Sequence, residues 1–356
     1  MGKNKTGKII ADGKEISLAS RAYIIAEAAC NHICDMDIAR KMIDEAAKAG
    51  SDAIKFQTYK AEKLVCSDST TYWNHKGGSG SQLDYYKKLD KFGKAEYRDL
   101  FSYAKSKGIT AFSTPFDVDS AKMLNDIGMP LFKIASCDIL DTRLIRTVAG
   151  FGKPVIISTG ASTIEEIKKT VTAFLNTGNS QLVLMACTLS YPTNNDNAHM
   201  ARISTFRRMF PDIVIGLSDH TEPDENMVIP SVAVSLGAKV IEKHYTLDRS
   251  MTGSGHSFSI NPTDLKKMVD NIRLTEKVLG SAEIKIFDVE APARTKARRS
   301  LVAEEDIEKG ARITSELIGV KRPGTGLAPD RIDEVIGRTA NVNIKKDAQI
   351  RLEELE

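Results

Sequence analysis

At 356 residues the chain is longer than one usual domain, and 42% hydrophobic with 27% charged residues is an ordinary globular composition rather than a disordered or fibrous one. A net charge of +3, spread along the sequence, gives no electrostatic case for a nucleic-acid or membrane partner. No apolar run approaches the roughly 18 residues of a membrane span, and the polar start MGKNKTGKIIADGKEIS lacks the apolar centre of a signal peptide, so a cytoplasmic setting is expected.

In chain order the pattern is apolar strand, loop, amphipathic helix, repeated. Eight strands are predicted: Tyr23–Glu27, Ala53–Gln57, Thr110–Thr114, Leu131–Ala135, Pro154–Ser158, Leu182–Cys187, Ile213–Leu217 and Lys239–His244. Each is short and lacks clean alternation, as expected of a strand buried on both faces. Helices are predicted over Met36–Ala49, Ala95–Lys107, Val118–Ile127, Thr142–Ala149, Ile164–Leu175, Ala198–Met209, Glu225–Leu236 and Pro262–Leu279. Gly50, Gly108 and Gly128 follow three of them as left-handed caps. This α/β alternation predicts a (β/α)8 TIM barrel over residues 1–280. A doubly wound sheet is the alternative, weakened by the lack of GxGxxG after the first strand.

Two stretches break the rhythm. Glu62–Phe92, with HKGGSGSQLDYYKKL, reads as a polar, glycine-rich flap after the second strand, and long βα loops usually belong to the site. Residues 281–299 are charged, contain Pro292, and read as a linker. From Ser300 to the C-terminus, short hydrophobic pieces separated by KGA, RPGTG and KKDA predict a small β-rich domain with one or two helical turns. Cys30, Cys34, Cys66, Cys137 and Cys187 are odd in number with no CxxC pair, which suits reduced thiols. Cys30 and Cys34 near His32 lack the other half of a zinc-ligand set.

The predicted strand ends carry the chemistry. They deliver Glu27, Lys55 and Gln57, Ser113 and Thr114, Lys133 and Ser136, Ser158 and Thr159, Thr188 and Tyr191, Ser218 to His220, then Glu242 and His244. In a barrel these converge on one face. Polar groups gathered there lose hydration and need partners. Two lysines inside apolar runs, with several hydroxyls, make an anion site suited to phosphate and carboxylate together. His220 and His244, on consecutive strands, could share a divalent metal that polarises a carbonyl, with Asp219 or Glu242 as a further ligand or supporting partner. Glu27 is a candidate general acid or base, its pKa pulled in opposite directions by burial and by the lysines. Phosphoenolpyruvate with an aldehyde co-substrate satisfies this set, although the residues alone do not force that choice.

The motifs IIAEAACNH, DAIKFQTYKAE, FSTPFD, FKIASCD, VIISTGAS, CTLSYPT, IGLSDHT, VIEKHYTLDRSM and VKRPGTG occur in that order. From about Tyr23 to the C-terminus the chain resembles the sialic acid synthase family. The resemblance implies a TIM barrel joined to a small antifreeze-like (SAF) domain. It also implies condensation of phosphoenolpyruvate with an open-chain amino sugar of the N-acetylmannosamine type, giving a nine-carbon 2-keto-3-deoxy acid and phosphate. His220 and His244 would hold Mn2+ or Mg2+. Lys55, Thr114, Lys133, Ser136, Ser158 and Ser218 would bind phosphoenolpyruvate, Gln57, Asp138 and Tyr191 would face the sugar, and Glu27 would handle protons. A homodimer is implied in which the small domain caps the partner's barrel and brings Arg322 to the sugar.

Three departures from the family pattern lie where the far end of the sugar would sit. Cys137-Asp138 follows KI-x-S, Gly255 with His256 occupies TGSGHSFS where many members carry an acid, and HKGGSGSQ lacks an asparagine. The sugar is therefore open to N-acetylmannosamine, its 6-phosphate, or the diacetamido-trideoxyhexoses of legionaminic and pseudaminic acid synthases. More distant alternatives are a Schiff-base aldolase using Lys133 or Lys55 and a non-catalytic sugar-binding protein.

Overall fold

A computed structural model of the protein describes residues 7–73 and 80–356. The chain divides into two compact units, one ending at Gly280 and the other Ser281–Glu356. The first opens with a hairpin of β1 (Lys8–Ala11) and β2 (Lys14–Ser17). Asp12 and Gly13 turn between them with positive φ, as a two-residue hairpin loop requires. Ile9, Ala11 and Ile16 are buried in the main core. Lys14 reaches Asp52 at 3.4 Å and Thr110 donates to Asp12 at 3.2 Å, so the hairpin lies at the N-terminal ends of the barrel strands. Its signal was the Asp-Gly dipeptide within IIADGKEIS.

The barrel strands are β3 (Tyr23–Ala29), β4 (Ala53–Thr58), β5 (Thr110–Pro115), β6 (Phe132–Ile134), β7 (Val155–Ser158), β8 (Leu182–Cys187), β9 (Val214–Asp219) and β10 (Val240–His244). They form a closed parallel barrel in sequence order, β10 pairing with β3. Nearly every residue in these strands is buried, which explains the unbroken apolar runs. Helices separate the strands and carry the predicted caps. Asp35 accepts from the backbone N–H groups of Asp37 and Ile38 to start the Met36–Ala49 helix, and Gly50 ends it at φ 89°. Asn261 and Asp264 form a capping box, with Pro262 opening the Pro262–Leu279 helix.

The segment read as a polar flap is structured where it is described. Short helices over Ala61–Leu64 and Gln82–Lys87 bring Tyr59, Leu64, Tyr85, Tyr86 and Leu89 together with Cys30 and Phe116 in a satellite core. The aromatic residues of TYW and DYY, not the glycines, decide its character. Most of HKGGSGSQ, residues 75–79, lies outside the described residues.

In the second unit β11 (Ser300–Ala303) pairs antiparallel with β12 (Ile318–Lys321). Single bridges such as Ile307–Ile344 and Ala340–Leu355, and short 3-10 turns, complete it around Leu301, Ile313, Val335 and Ile350. The stretch 281–299, read as a linker, contains the helix Ala291–Lys296 and clusters with this unit.

Candidate active site

The C-terminal ends of the barrel strands surround a cavity of about 150 Å3. Twelve of the predicted residues line it: Glu27, Lys55, Gln57, Thr114, Lys133, Ser136, Ser158, Tyr191, Ser218, His220, Glu242 and His244. Asp138 is not among them, although its neighbour Cys137 is. Burial pushes the Asp138 carboxyl up to about 7. Arg322 belongs to the second unit, directly after β12.

Strand alternation sorts the remaining candidates. Ser113 shares a 2.7 Å hydrogen bond with Thr58, and Thr159 donates to the Met185 carbonyl. Asp219, expected as a ligand or supporting partner, instead pairs with Lys243 at 2.7 Å and lies outside the cavity lining. His256 is fully buried and shares a 2.7 Å hydrogen bond with Thr246, so it packs the loop rather than lining the cavity. Gly255 does line it. A Cβ there would sit 2.6 Å from the Phe258 ring, so glycine admits the ring that packs on His244 at 5.2 Å.

The base of the cavity is a network of two carboxylates and two ammonium groups. Lys55 lies 2.8 Å from Glu27, donates to Thr114 at 2.9 Å, and lies 3.7 Å from Glu242. Lys133 donates to Glu242 at 3.2 Å, and Ser218 donates to the same oxygen at 3.1 Å. Gln57 donates to Glu27 at 3.1 Å. A register irregularity follows Glu27 beside the site: Ala29, at φ 48°, rather than Ala28 pairs with Phe56 of β4.

These environments push the carboxylates apart. Burial raises Glu27 to about 7 despite the attraction of Lys55. Burial also works against ionised Glu242, but Lys133 and Lys55 outweigh it and hold the group below the ordinary carboxylate range. Burial opposes the charge on Lys55, yet Glu242 and Glu27 prevail and raise it. Burial lowers Lys133. A fixed anion and a proton-exchanging acid thus share one pair of lysines. Glu242, two residues before His244 on the same face, is the central group that reading the strand ends undervalued.

His220 donates from Nδ1 to the Thr188 carbonyl at 2.9 Å, so in the neutral ring Nε2 is the atom that could ligate a metal. The His220 and His244 rings lie 5.3 Å apart by centroid, with Tyr191 against both. Among the described residues the buried His244 Nδ1 and Ser158 Oγ have no hydrogen-bond partner. The two imidazoles could hold a divalent ion, although no set of three or more His, Cys, Asp or Glu side chains is gathered as a metal site among the described residues. Cys187, not singled out from the sequence, lies 3.6 Å from Ser136 and 3.7 Å from His220. Tyr59, Tyr72, Trp73, Tyr85, Tyr86 and Phe116 form the aromatic walls above.

A closed (β/α)8 barrel with paired lysines, paired carboxylates and two histidines at its strand ends defines a class of TIM-barrel enzyme. The NeuB family profile matches residues 42–284 and that of the SAF domain matches residues 298–356, and the chain belongs to the NeuB family. It is 35% identical to the N,N'-diacetyllegionaminic acid synthase of Legionella pneumophila over 94% of each chain. It is 32% identical to the N-acetylneuraminate-9-phosphate synthase of Mus musculus, covering 94% of this chain and 92% of that one. The solved N-acetylneuraminic acid synthetase of Leptospira borgpetersenii superposes with a TM-score of 0.72 at 35% identity, covering 80% of this chain and 94% of that chain.

Proposed function

We propose that the protein is a nonulosonic acid synthase. It condenses phosphoenolpyruvate with an open-chain N-acetylmannosamine-type amino sugar to give a nine-carbon 2-keto-3-deoxy acid and phosphate. Family membership supports the reaction class. The observation that carries the reading is the buried network in which Glu27 and Glu242 hold Lys55 and Lys133 beneath the two histidines.

Lys55 and Lys133 bind the anionic groups of phosphoenolpyruvate, with Thr114, Ser136, Ser158 and Ser218 supplying hydroxyls. The free Ser158 hydroxyl is suited to an incoming oxygen. Gln57 and Tyr191 orient the sugar. His220 and His244 hold a divalent cation, Mn2+ or Mg2+, which when bound polarises the aldehyde carbonyl. C3 of phosphoenolpyruvate then forms the new bond to the aldehyde carbon. Water adds at C2, and phosphate departs with cleavage of its C–O bond. Glu27, raised to about 7, gives and takes the protons these steps move. Both lysines sit in ion pairs, which suits charged binding groups better than a Schiff-base amine.

The same chemistry on a diacetamido-trideoxyhexose is a second reading. Its support is the aromatic wall: among the described lining residues the only lysines are Lys55 and Lys133, and there is no arginine. Such walls suit acetamido and methyl substituents better than a sugar phosphate. A homodimer in which the small unit caps the partner's barrel and presents Arg322 to the sugar completes the proposal. Phosphate release from phosphoenolpyruvate, measured with Mn2+ across these sugars with and without chelator, tests it. Release that needs both metal and sugar is expected; release without sugar contradicts it.

A further inference from the structure

A second buried ion pair lies beside the site. Ser218 and His220 face the cavity from β9 and its end, and Glu242 and His244 face it from β10. The residues between them, Asp219 and Lys243, are register partners, each 2% exposed, and line no part of it. Lys243 Nζ donates to Asp219 Oδ2 at 2.7 Å, the Thr221 carbonyl at 2.8 Å and Thr221 Oγ1 at 3.1 Å. All three ammonium hydrogens are thereby used. Asp219 Oδ1 accepts from the Thr221 N–H at 2.9 Å and from its hydroxyl at 2.6 Å, closing a turn around His220.

Lys243 therefore grips the chain on both sides of His220 from the position adjoining His244. An ion pair this deeply buried is a weak source of stability, since well-packed apolar residues often serve as well or better. What it adds is direction. We infer that Lys243, acting through Asp219 and Thr221, is a positioning residue that fixes the His220 and His244 imidazoles relative to each other and so sets the site's affinity for its divalent cation. The inference rests on the metal site proposed above.

Mn2+ binding to the full-length protein, followed by electron paramagnetic resonance, tests it alongside thermal unfolding in chelator. The Lys243→Met, Asp219→Leu double variant replaces the pair without stranding a buried charge. Its metal-free melting temperature is expected to fall modestly, because the buried Thr221 N–H, hydroxyl and carbonyl lose their partners, while Mn2+ affinity falls roughly 10–100-fold, as for lost partners behind metal ligands. Thr221→Val, which keeps the ion pair, is expected to lose affinity severalfold. Wild-type affinity in the double variant, or in Thr221→Val should the double variant not fold, overturns the inference. If wild type binds Mn2+ no better than His244→Ala, the metal reading itself fails and the positioning role falls with it.

Discussion

Glu242 accepts a 3.2 Å hydrogen bond from Lys133 on the opposite side of the barrel, and the two residues are 4% and 3% exposed. This pair sets the charge at the base of the cavity. Burial already lowers Lys133, so removing its anion leaves the ammonium harder to maintain. Glu242→Gln is predicted to reduce kcat/KM for phosphoenolpyruvate by roughly 100-fold. The deficit should grow as pH rises and Lys133 loses its proton earlier than an exposed lysine would. A pH-independent deficit in steady-state assays would contradict this role.

The Glu27 carboxyl, raised to about 7, predicts a pH dependence of its own. Below that pH it is neutral and leaves Lys55 to the incoming anion. Above it, the ionised carboxylate competes for Lys55 at 2.8 Å. Phosphoenolpyruvate should therefore bind more weakly in wild type as pH rises through 7. The Glu27→Gln variant should lack this component while turning over roughly 100 to 10,000-fold more slowly, the usual range for a lost acid–base group. Calorimetric titrations of both proteins at several pH values check the difference.

His220→Ala and His244→Ala are each predicted to abolish Mn2+-dependent phosphate release with little change in melting temperature. Each histidine lies at a strand end, where truncation opens the existing cavity rather than a sealed core. Wild-type turnover in either variant would sink the metal assignment.

Two residues beyond the cavity-lining Cys30, His32 stacks on Phe92 at 4.6 Å, and its Nδ1 accepts from the Cys34 N–H at 3.1 Å. Burial pushes its imidazole down to about 4, and that of His256 likewise. The unfolded chain takes up these protons near 6.5 and the folded chain does not. Stability is full above that pH and declines as pH falls toward 4, by up to about 3 kcal/mol for His32. Urea midpoints between pH 4.5 and 7 should show this slope in wild type and a shallower one in His32→Gln. Equal slopes would contradict it.

The swapped arrangement is tested by mixing two inactive variants, His244→Ala and Arg322→Ala. If each site takes its barrel from one protomer and Arg322 from the other, hybrid dimers contain one intact site. Activity should then recover to about a quarter of wild type after random exchange. No recovery after verified exchange would exclude it.

Much of this was legible because buried parallel strands advertise themselves. AIKFQT and LFKIAS leave lysines no place but the barrel interior, and LSDH and IEKH place their histidines at strand ends. What was less legible follows from alternation and aromatic packing. Asp219 and Ser113 sit one residue from cavity-facing groups and so turn away from the cavity. Glu242 shares the face of His244 but shows its importance only through Lys55, Lys133 and Ser218, which come from three other strands. The segment after β4 looked polar because its tyrosines are interspersed with lysines, yet their rings meet in three dimensions. Gly255 read as a lost acid until the approach of Phe258 explained it.

The most direct measurement uses phosphoenolpyruvate labelled with 18O at the bridging oxygen, together with Mn2+ and the sugar that supports turnover, and reads both products by mass spectrometry. The account predicts label in the released phosphate and a nine-carbon keto acid carrying none of it. Label retained in the acid, or phosphate formed without a nine-carbon product, would contradict condensation with C–O cleavage.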